Sequence, residues 1–486
     1  MRVVKTAADA AAAKRATAEN ATGEATAAGE ATAEAEGAGN VAGEAEAAEK
    51  AGGEAAVICA DLIRFDTTNR GEGVAHPERP AAEYVAALLD EVGADPVIVE
   101  SAPGRASVLA RVAGTDPSHP AFLIHGHLDV VPADASEWTV PPFSGEVRDG
   151  CVWGRGAVDM KGSLAMTLAT VRRRLREGRR TRGDLVLAFL ADEECTGDYG
   201  SRYVAREHRA YFDGCAEAIS ESGGYSVYAN GAGGAAAGTR IYPIATGERG
   251  TMWMRLTARG TAGHGSKPAP DNAVAEIAHA VSRIAAHEWP VRLTPGVHAL
   301  LDGLADALGT TIDHDRLDAE AARLSGVGRL FAGTIRNSAN PTRLDAGYKV
   351  NVVPGTASAE VDGRYLPDTG EEFRATIDRL LGPKVTREFI NFEEAPAADP
   401  AGPTFAALAD ALRAEDPLAR PVPYVMAGGT DAKSFNHIGI KSFGFAPLLL
   451  GPDLDYLSMF HGVDERVPLD ALAFGTRVLD NFLNTR

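Results

Sequence analysis

The chain has 486 residues and a formal net charge of -19 at pH 7. Such a length accommodates about two or three domains. Nucleic acids and anionic membrane surfaces are bound through basic patches, so a negative charge of this size argues against both as partners. Hydrophobic residues make up 45% of the chain and charged residues 24%, as in ordinary globular proteins. Composition therefore excludes two classes of partner without identifying a substrate.

The chain has four cysteines, Cys59, Cys151, Cys195 and Cys215. No two of them have C-x-x-C spacing, which argues against a disulfide framework or a thiolate zinc site and fits reduced cytoplasmic thiols. No apolar run reaches the length of a transmembrane helix. Asp9 and Lys14 interrupt the apolar residues near the start of the chain, where a signal peptide would need an unbroken core. We expect a cytoplasmic protein.

Residues 1–52 consist mainly of Ala, Glu, Gly and Thr, with almost no large apolar side chain. Such a segment cannot bury enough surface to offset the entropy lost on ordering. We predict a disordered acidic tail with no catalytic role.

Residues 53–245 alternate between helix-like and strand-like patterns. The segments AAVICADLIRFDTTN and RPAAEYVAALLDEVGAD have the spacing of amphipathic helices, and Gly93 is a plausible end of the second. PVIVE, ASVLARVAG, FLIHGHLDVV, DLVLAFLADEE and CAEAISESGG are typical of strands, with GSLAMTLATVRRRLREG and YGSRYVAREHR as helices between them. This alternation predicts an α/β sheet whose strand ends carry the functional residues.

Two motifs contain polar residues that could form a site. HGHLDVV lies at the end of one of these strands, and GRGAVDMKG follows it in the chain. His127 and Asp129 occupy alternating positions, so their side chains point the same way in an extended chain. Asp159 lies between glycines in the second motif. Each residue alone is more often a surface histidine or a turn aspartate. Together, imidazole and carboxylate groups at a strand end suit a metal such as zinc.

A second polar cluster changes the balance between these interpretations. The apolar run 185–190 ends in Asp192, Glu193 and Glu194. Burying unpaired carboxylates costs several kcal/mol, so adjacent acids after a buried strand need a cation. We expect this cluster to lie beside the first.

The pattern changes near residue 246. RGTMWMRLTARG predicts an alternating strand, a long helix begins near Asn272, and GYKVNVVPGTASAEVDGRYLP predicts two further strands. We interpret residues 246–367 as an inserted α+β module, whose helix-rich middle, about residues 295–336, has no assigned role. Residues 368–486 return to helices and strands, including EEFRATIDRLLG, KVTREFINF and TFAALADALRAED, and close with a helix near Leu469.

The combination of HGHLDVV, GRGAVDMKG and DEE after an apolar strand resembles the co-catalytic zinc hydrolases. This group includes aminoacylase, acetylornithine deacetylase, succinyl-diaminopimelate desuccinylase and carboxypeptidases G and S. The resemblance runs from about residue 55 to the C-terminus. It implies a mixed-sheet α/β catalytic domain in two parts, residues 53–245 and 368–486, and an inserted α+β lid and dimerisation domain over residues 246–367. It also implies a homodimer.

The resemblance implies two metal sites that share a carboxylate. His127, Asp159 and Glu221 would hold one ion, and Asp159, Glu194 and His461 the other, with Asp159 as the bridge. Nitrogen and oxygen ligands suit two Zn²⁺, with Co²⁺ or Mn²⁺ as alternatives. Without the resemblance, a solvated acid and a metal ligand are equally good interpretations of Glu221. For His461, a capping or core histidine is then the better interpretation than a metal ligand.

Three further residues receive catalytic roles from the resemblance. Asp129 would accept a hydrogen bond from the His127 ring, and Glu193 would be the general base that takes a proton from a metal-activated water. His264 would donate to the oxyanion, in many relatives from the partner subunit. The peptide bond between Asp159 and Met160 is expected to be cis. Alone, His264 would be an ordinary loop histidine.

The resemblance also places residues against a substrate that carries a free carboxylate. Asn351 and Arg364 would bind the carboxylate, for which the planar guanidinium is well shaped. Gly428, Gly429 and Thr430 belong to a GGTDA turn that would line the pocket. The alternatives are a surface ion pair for Arg364 and helix capping by Thr430 or Asp431.

The leading hypothesis is a metal-dependent hydrolase that cleaves the amide bond of N-acyl amino acids. Glu221 weakly favours this deacylase chemistry, because the resembling peptidases often have Asp there. Carboxypeptidase or dipeptidase action on small peptides is the second hypothesis. The contrasting class is a non-catalytic binding protein of the same fold. Loss of a metal ligand or of the base would indicate such a protein, and none of these residues is missing.

Overall fold

The computed structural model describes residues 53–71, 74–229 and 238–486. The predicted acidic tail over residues 1–52 lies outside this part of the chain. In the described ranges, no helix has the length and apolar character needed to cross a bilayer.

Helices and strands alternate along most of the described chain. Residues 53–64 form helix α1. The other helices are α2 (Arg79–Asp90), α3 (Lys161–Arg176), α4 (Ser201–Glu207), α5 (Ala273–Ala285), α6 (Pro295–Leu308), α7 (Leu317–Arg323), α8 (Ser325–Ala332), α9 (Gly370–Leu381), α10 (Pro403–Glu415), α11 (Ala432–His437) and α12 (Leu469–Leu483).

The strands that enter the two main sheets and two minor ones are β1 (Val97–Ala102), β2 (Arg105–Val112), β3 (Ala121–His127), β4 (Val147–Arg148), β5 (Cys151–Trp153), β6 (Leu185–Leu190), β7 (Cys215–Ser220), β8 (Val227–Tyr228), β9 (Arg240–Glu248), β10 (Gly250–Arg259), β11 (Gly263–His264), β12 (Ser338–Ala346), β13 (Val352–Val353), β14 (Thr356–Tyr365), β15 (Val385–Glu393), β16 (Ala419–Met426), β17 (Lys441–Gly444) and β18 (Arg466–Pro468).

A large mixed sheet forms the centre of the molecule. Its order is β1-β2-β6-β3-β7-β17-β9-β16, with β8 beside β9. The central strand β3 is parallel to both β6 and β7, whereas β2 is antiparallel to β1 and to β6. The predicted mixed α/β fold is confirmed. Since β3, β6 and β7 are parallel, their carboxyl ends meet at one edge of the sheet.

Buried apolar side chains explain why these strands are central. Every residue of β3 and β6 is buried, as continuous apolar runs such as LVLAFL predict for strands covered on both faces. On one face, α3 and α12 pack against each other and form the main core with α1, α2 and α10. On the other face, Phe212, Phe435 and Ile440 cover the sheet. This packing fixes the strand ends that carry the polar residues.

A smaller domain is inserted between β9 and α10. Its sheet has the order β12-β14-β10-β15, and α5 and α9 cover one face through a core that includes Met252, Ile277 and Phe373. Strand β15 pairs with β10 along nearly its whole length. The small domain extends beyond residue 367, where the sequence pattern ends the inserted module, because β15 pairs with β10 and α9 packs in the same core. We call this unit the small domain.

The helix-rich middle segment is also placed differently from expectation. Helices α6 to α8 are present over residues 295–332, within the predicted region. They pack on the large sheet rather than the small one, because Leu300 and Leu304 of α6 contact a core that includes Val422 and Val425 of β16. The segment is thus inserted in sequence within the small domain but covers the edge of the large sheet.

Candidate active site

The sheet edge where β3, β6 and β7 end collects the predicted polar residues. His127 is the last residue of β3 and lies beside Leu190, the last residue of β6. Glu193 and Glu194 follow β6, and Glu221 directly follows β7. Three residues in separate segments of the site have left-handed φ angles, namely Asp192 at 69°, Ser222 at 68° and His461 at 58°. Such conformations in non-glycine residues are concentrated at functional sites.

His127 is fully buried at the centre of one group of carboxylates. Its Nε2 atom lies 3.1 Å from Asp159 Oδ1, 3.7 Å from Glu221 Oε2 and 3.9 Å from Glu193 Oε2. Ligand atoms of His127, Glu193 and Glu221 lie within 4.8 Å of one another. Glu193, which the sequence assigns to proton transfer, is therefore also close enough to be grouped with metal ligands.

His461 is the centre of a second group. Its Nε2 atom lies 3.2 Å from Glu194 Oε2 and 3.3 Å from Asp159 Oδ2. Asp159 thus presents one carboxylate oxygen to each histidine. Asp159 and Glu194 also form a possible ligand group with His127, again within 4.8 Å. All five predicted ligands and Glu193 are brought together, although they are distant in sequence.

The electrostatics of this cluster favour bound cations. Burial and the charge of Glu221 raise the pKa of Glu193 well above its ordinary value, and burial raises the pKa of Glu194 as well. Hydrogen bonds to Asp159 and Glu194 raise the pKa of His461 to about 10. The buried Glu194 Oε1 atom has no hydrogen-bond partner among the described residues. Divalent cations would replace the protons that these groups otherwise need, so the donor set fits them.

Asp129 is positioned as expected, but through a different oxygen. His127 Nδ1 lies 2.9 Å from the backbone carbonyl of Asp129 and 3.7 Å from its carboxylate, too far for a hydrogen bond to the latter. The His127 ring therefore bonds the backbone carbonyl of Asp129 and not its carboxylate. The carboxylate instead accepts from Asn69 Nδ2 at 2.9 Å and from the backbone N–H groups of Glu193 at 3.1 Å and Glu194 at 3.2 Å.

Glu465 is a buried residue of the site that the sequence interpretation missed. Its carboxylate accepts from the backbone N–H groups of Gly156 at 2.9 Å, Val158 at 2.7 Å and Asp159 at 2.9 Å. It also pairs with Arg155 at 2.9 Å. This one side chain therefore fixes the loop that presents Asp159. Its position four residues after His461 was the available signal.

Two other features shape the same region. Asn69, also missed, donates to Asp192 Oδ1 at 3.0 Å as well as to Asp129, and so connects two strand ends. A β-carbon at Gly126 would overlap Met160 and Leu164, which explains the glycine before His127. The peptide bond between Asp159 and Met160 is cis, as the resemblance implies.

A cavity of about 490 Å³ opens over the cluster. Asp159, Glu193, Glu194, Glu221 and His461 form one side of it. The opposite side comes from the small domain and from the turn after β16. Its residues are Thr251, Trp253, Arg364, Asn391, Glu393, Gly428, Gly429, Thr430, Asp431 and Lys433. The predicted turn residues and Arg364 therefore line the cavity. Lys433 also lines it, although the sequence did not indicate a role for this residue.

Arg364 is held by several contacts on the cavity wall. It pairs with Asp362, at 2.7 Å from Nε to Oδ1, and its Nη1 atom donates to Thr251 Oγ1 at 3.1 Å. Its guanidinium carbon lies 5.6 Å from the centre of the Trp253 ring. The guanidinium is thus oriented by neighbours of its own sheet.

His264 and Asn351 lie elsewhere. They are neighbours at the small β11–β13 pairing, where Gly265 N–H donates to the Asn351 carbonyl at 2.9 Å. Both side chains are exposed, and neither lines the cavity within one chain. The Nδ1 atom of His264 lies 2.9 Å from Ser266 Oγ.

The fold and the cluster together define a metallohydrolase, and the sequence comparison names its family. The profile of peptidase family M20/M25/M40 matches residues 123–485, and the chain belongs to that family.

Its relatives include hydrolases of acylated amino acids and of peptides. It is 26% identical over 422 residues to N-fatty-acyl-amino acid synthase/hydrolase PM20D1 of Xenopus tropicalis, covering 81% of this chain and 78% of the relative. It is 27% identical over 394 residues to mouse aminoacylase-1, covering 79% and 85%. Probable carboxypeptidase S-like 2 of Dictyostelium discoideum is 27% identical over 370 residues, with 73% and 70% covered.

Among solved structures, the di-peptidase Dug1p of Saccharomyces cerevisiae has a similar fold. Its TM-score is 0.63 at 17% sequence identity, with 92% of this chain and 98% of that chain covered. A Bacillus subtilis protein described as a dinuclear metal binding peptidase from the M20 family has a TM-score of 0.55 at 14% identity, with 88% and 96% covered.

Proposed function

We propose that this metallohydrolase cleaves the amide bond of N-acyl amino acids and uses a pair of Zn²⁺ ions. The observation that carries the proposal is Asp159, whose two carboxylate oxygens lie 3.1 and 3.3 Å from two different histidines. Two cations about 3.5–4 Å apart need such a shared carboxylate. The names of two relatives, an aminoacylase and an N-fatty-acyl-amino acid synthase/hydrolase, support the substrate class.

In this proposal His127, Asp159 and Glu221 hold one ion, and Asp159, Glu194 and His461 hold the other. Nitrogen and oxygen donors without sulfur favour zinc, with cobalt or manganese as substitutes. Bound cations would supply Lewis-acid activation of the water and of the amide carbonyl. Asp129 and Glu465 hold the histidine ring and the Asp159 loop in place through the contacts described above.

Glu193 is the proposed general base. Its carboxyl group faces the cavity, and its backbone is held by a 3.1 Å hydrogen bond to Asp129. Burial and the nearby Glu221 raise its pKa above the ordinary carboxyl value, the direction that favours accepting a proton. Glu193 would take the proton of the attacking water and deliver it to the leaving amine.

The small domain is the proposed lid and dimerisation domain. His264 and Asn351 are outside the cavity in a single chain, and in this proposal a second copy presents them as oxyanion donor and carboxylate ligand. The same part of the small domain exposes Leu344, Tyr348 and Val350, which supports an interface there. A cytoplasmic location is part of the proposal, because no disulfide joins the cysteines of the described residues.

Small-peptide hydrolysis is the second candidate. The carboxypeptidase S-like relative favours it, and a peptide C-terminus offers the same free carboxylate to Arg364 as an acylated amino acid does. Both reactions cleave an amide next to a residue with a free carboxylate, so the cavity chemistry serves either.

The deciding experiment measures acetate release from N-acetyl amino acids by metal-free protein and after addition of zinc, cobalt or manganese. We expect turnover only with added metal, and about two bound ions per chain. Dipeptides assayed in parallel measure the second candidate. A metal-loaded protein that turns over neither substrate class would contradict both candidates and favour the non-catalytic alternative.

A further inference from the structure

Lys433 is a buried cation on the wall of the cavity. It lies near the start of α11 and is 7% exposed. Its Nζ atom donates to Thr251 Oγ1 at 3.0 Å. Among the described residues, no carboxylate oxygen lies within 4.0 Å of this ammonium group. Burial lowers its pKa, while the charge of Glu248 acts in the opposite direction.

Glu248 does not supply the missing partner directly. Its carboxylate is engaged by the backbone N–H of Thr430 at 3.0 Å and by the Thr430 hydroxyl. A buried charge without a directly paired counterion is costly in free energy. A protein keeps such a charge most readily where a ligand brings the opposite one.

A second cation converges on the same point. Thr251 Oγ1 accepts from Arg364 Nη1 at 3.1 Å as well as from Lys433. Arg364 is already paired with Asp362, so one of the two positive charges at this hydroxyl is compensated within the protein. On this wall Lys433 is therefore the cation without a directly paired carboxylate among the described residues, while Glu248 and Glu193 act on it at longer range.

Gly429 leaves space for this ammonium group. A β-carbon on Gly429 would lie 2.1 Å from Lys433 Nζ, so a side chain there would displace the ammonium group. The same contact is compatible with a purely structural role, in which Lys433 joins α11 to β10 of the small domain. The two roles differ in whether the ionic charge matters to the ligand.

We infer that Lys433, together with Arg364, binds the free carboxylate of the substrate and thereby sets the preference for acylated amino acids over their uncharged analogues. This inference rests on the proposed function. In this inference the metal-ligand cluster faces the scissile amide and the pair of Lys433 and Arg364 faces the carboxylate, so the two groups together orient the substrate.

The test compares an N-acetyl amino acid with the corresponding N-acetyl amino acid amide, which lacks the charge. The variant is Lys433→Gln, which keeps a donor for Thr251 but loses the positive charge. We expect KM for the carboxylate substrate to rise about 10- to 100-fold with kcat little changed, from the loss of one charge-assisted contact. Kinetics on the amide substrate should not change. Lys441→Gln is the control, since Lys441 is exposed and bonds only Asn436 among the described residues.

An equal loss on both substrates would mean a structural role, and unchanged KM for both would also overturn the inference. Wild-type protein that hydrolyses no N-acetyl amino acid would instead refute the proposed function. The inference is then decided by calorimetric binding of the same two ligands in a Glu193→Gln background, with and without Lys433→Gln. Tighter binding of the carboxylate that disappears with Lys433 supports it, and equal binding of the two ligands overturns it.

Discussion

At the scale of single residues, the site separates two tasks between adjacent glutamates. Glu194 points to His461 and Asp159, while Glu193 lies nearer His127 and faces the cavity. The left-handed backbone at Asp192 and the two hydrogen bonds from their N–H groups to Asp129 fix this divergence. Neighbouring acids that would point apart in a regular strand thus both reach one site.

Replacing Glu193 by Gln should abolish turnover while leaving metal content near two ions per chain. The amide cannot accept the water proton, and loss of a general base typically costs about 10²–10⁴-fold in rate. Acetate release and metal analysis on the same preparation measure the two quantities. Glu207→Gln, at an exposed position on α4, is the matched control. Retained activity would remove the base assignment, and lost metal would make Glu193 a ligand.

At the scale of elements, the loop before α3 depends on a residue from the other end of the chain. Glu465 precedes β18, and its carboxylate accepts from three backbone N–H groups of the loop that carries Asp159. The β5–β18 pairing, in which Arg466 faces Trp153, brings it there. The metal cluster is therefore supported by a strand contact between residues more than 300 positions apart in the chain.

Glu465→Gln should weaken metal binding about 10- to 100-fold, because residues that support ligands contribute at that level. The amide can accept fewer backbone hydrogen bonds, and Arg155 loses its buried counterion, so the melting temperature should also fall. Zinc affinity is measured by competition with a chromophoric chelator. Glu371→Gln changes a side chain that is 97% exposed and should alter neither quantity. Unchanged zinc affinity in Glu465→Gln would show that Asp159 is held by other contacts.

Element positions were predictable where a local pattern decides them. The apolar runs of β3 and β6 and the acids that follow them gave the strand ends and the metal cluster. The pattern failed where long-range contacts decide. Both α9 and β15 have the local sequence of catalytic-domain elements, but α9 packs in the core of the small domain and β15 pairs with β10. Spacing placed Asp129 next to His127 but did not determine which of its oxygens accepts the hydrogen bond. Glu465 and Lys433 gave no periodic signal, because their roles come from contacts across the fold.

At the scale of the whole molecule, polar contacts hold the small domain against the large one. Arg202 of α4 donates to Asn391 Oδ1 of β15 at 2.8 Å and pairs with Glu393. His437 Nε2 lies 3.2 Å from the same glutamate. Arg249, between β9 and β10, donates to the Gly333 carbonyl at 3.0 Å and so connects the domain junction to the end of α8. Arg202, Asn391 and Glu393 also line the cavity, so these contacts join the two domains beside it.

Removing metal should make the stability of the whole fold pH-dependent. The pKa of His461 rises from 6.5 to about 10 in the folded protein. Its stabilising contribution is therefore complete below pH 6.5 and is lost as the pH rises toward 10. Burial raises the pKa of Glu221 too, which acts in the same direction. The melting temperature in chelator should fall across this range, and saturating zinc should reduce the fall. A metal-free melting temperature that rises with pH would contradict the charge pattern of the cluster.

Mixing two inactive variants tests whether active sites are shared between subunits. His264→Ala lacks the proposed oxyanion donor, and Glu193→Gln lacks the base. In a mixed dimer, the site with an intact Glu193 would receive the intact His264 of the other chain. An equal mixture, denatured and refolded together, should then recover about a quarter of wild-type activity, since half the dimers are mixed and each has one complete site. Each variant refolded alone is the control. Activity no greater than that of the separate variants would mean that His264 works within its own chain or not at all, and the exposed β11–β13 region would then have to move to reach the cavity.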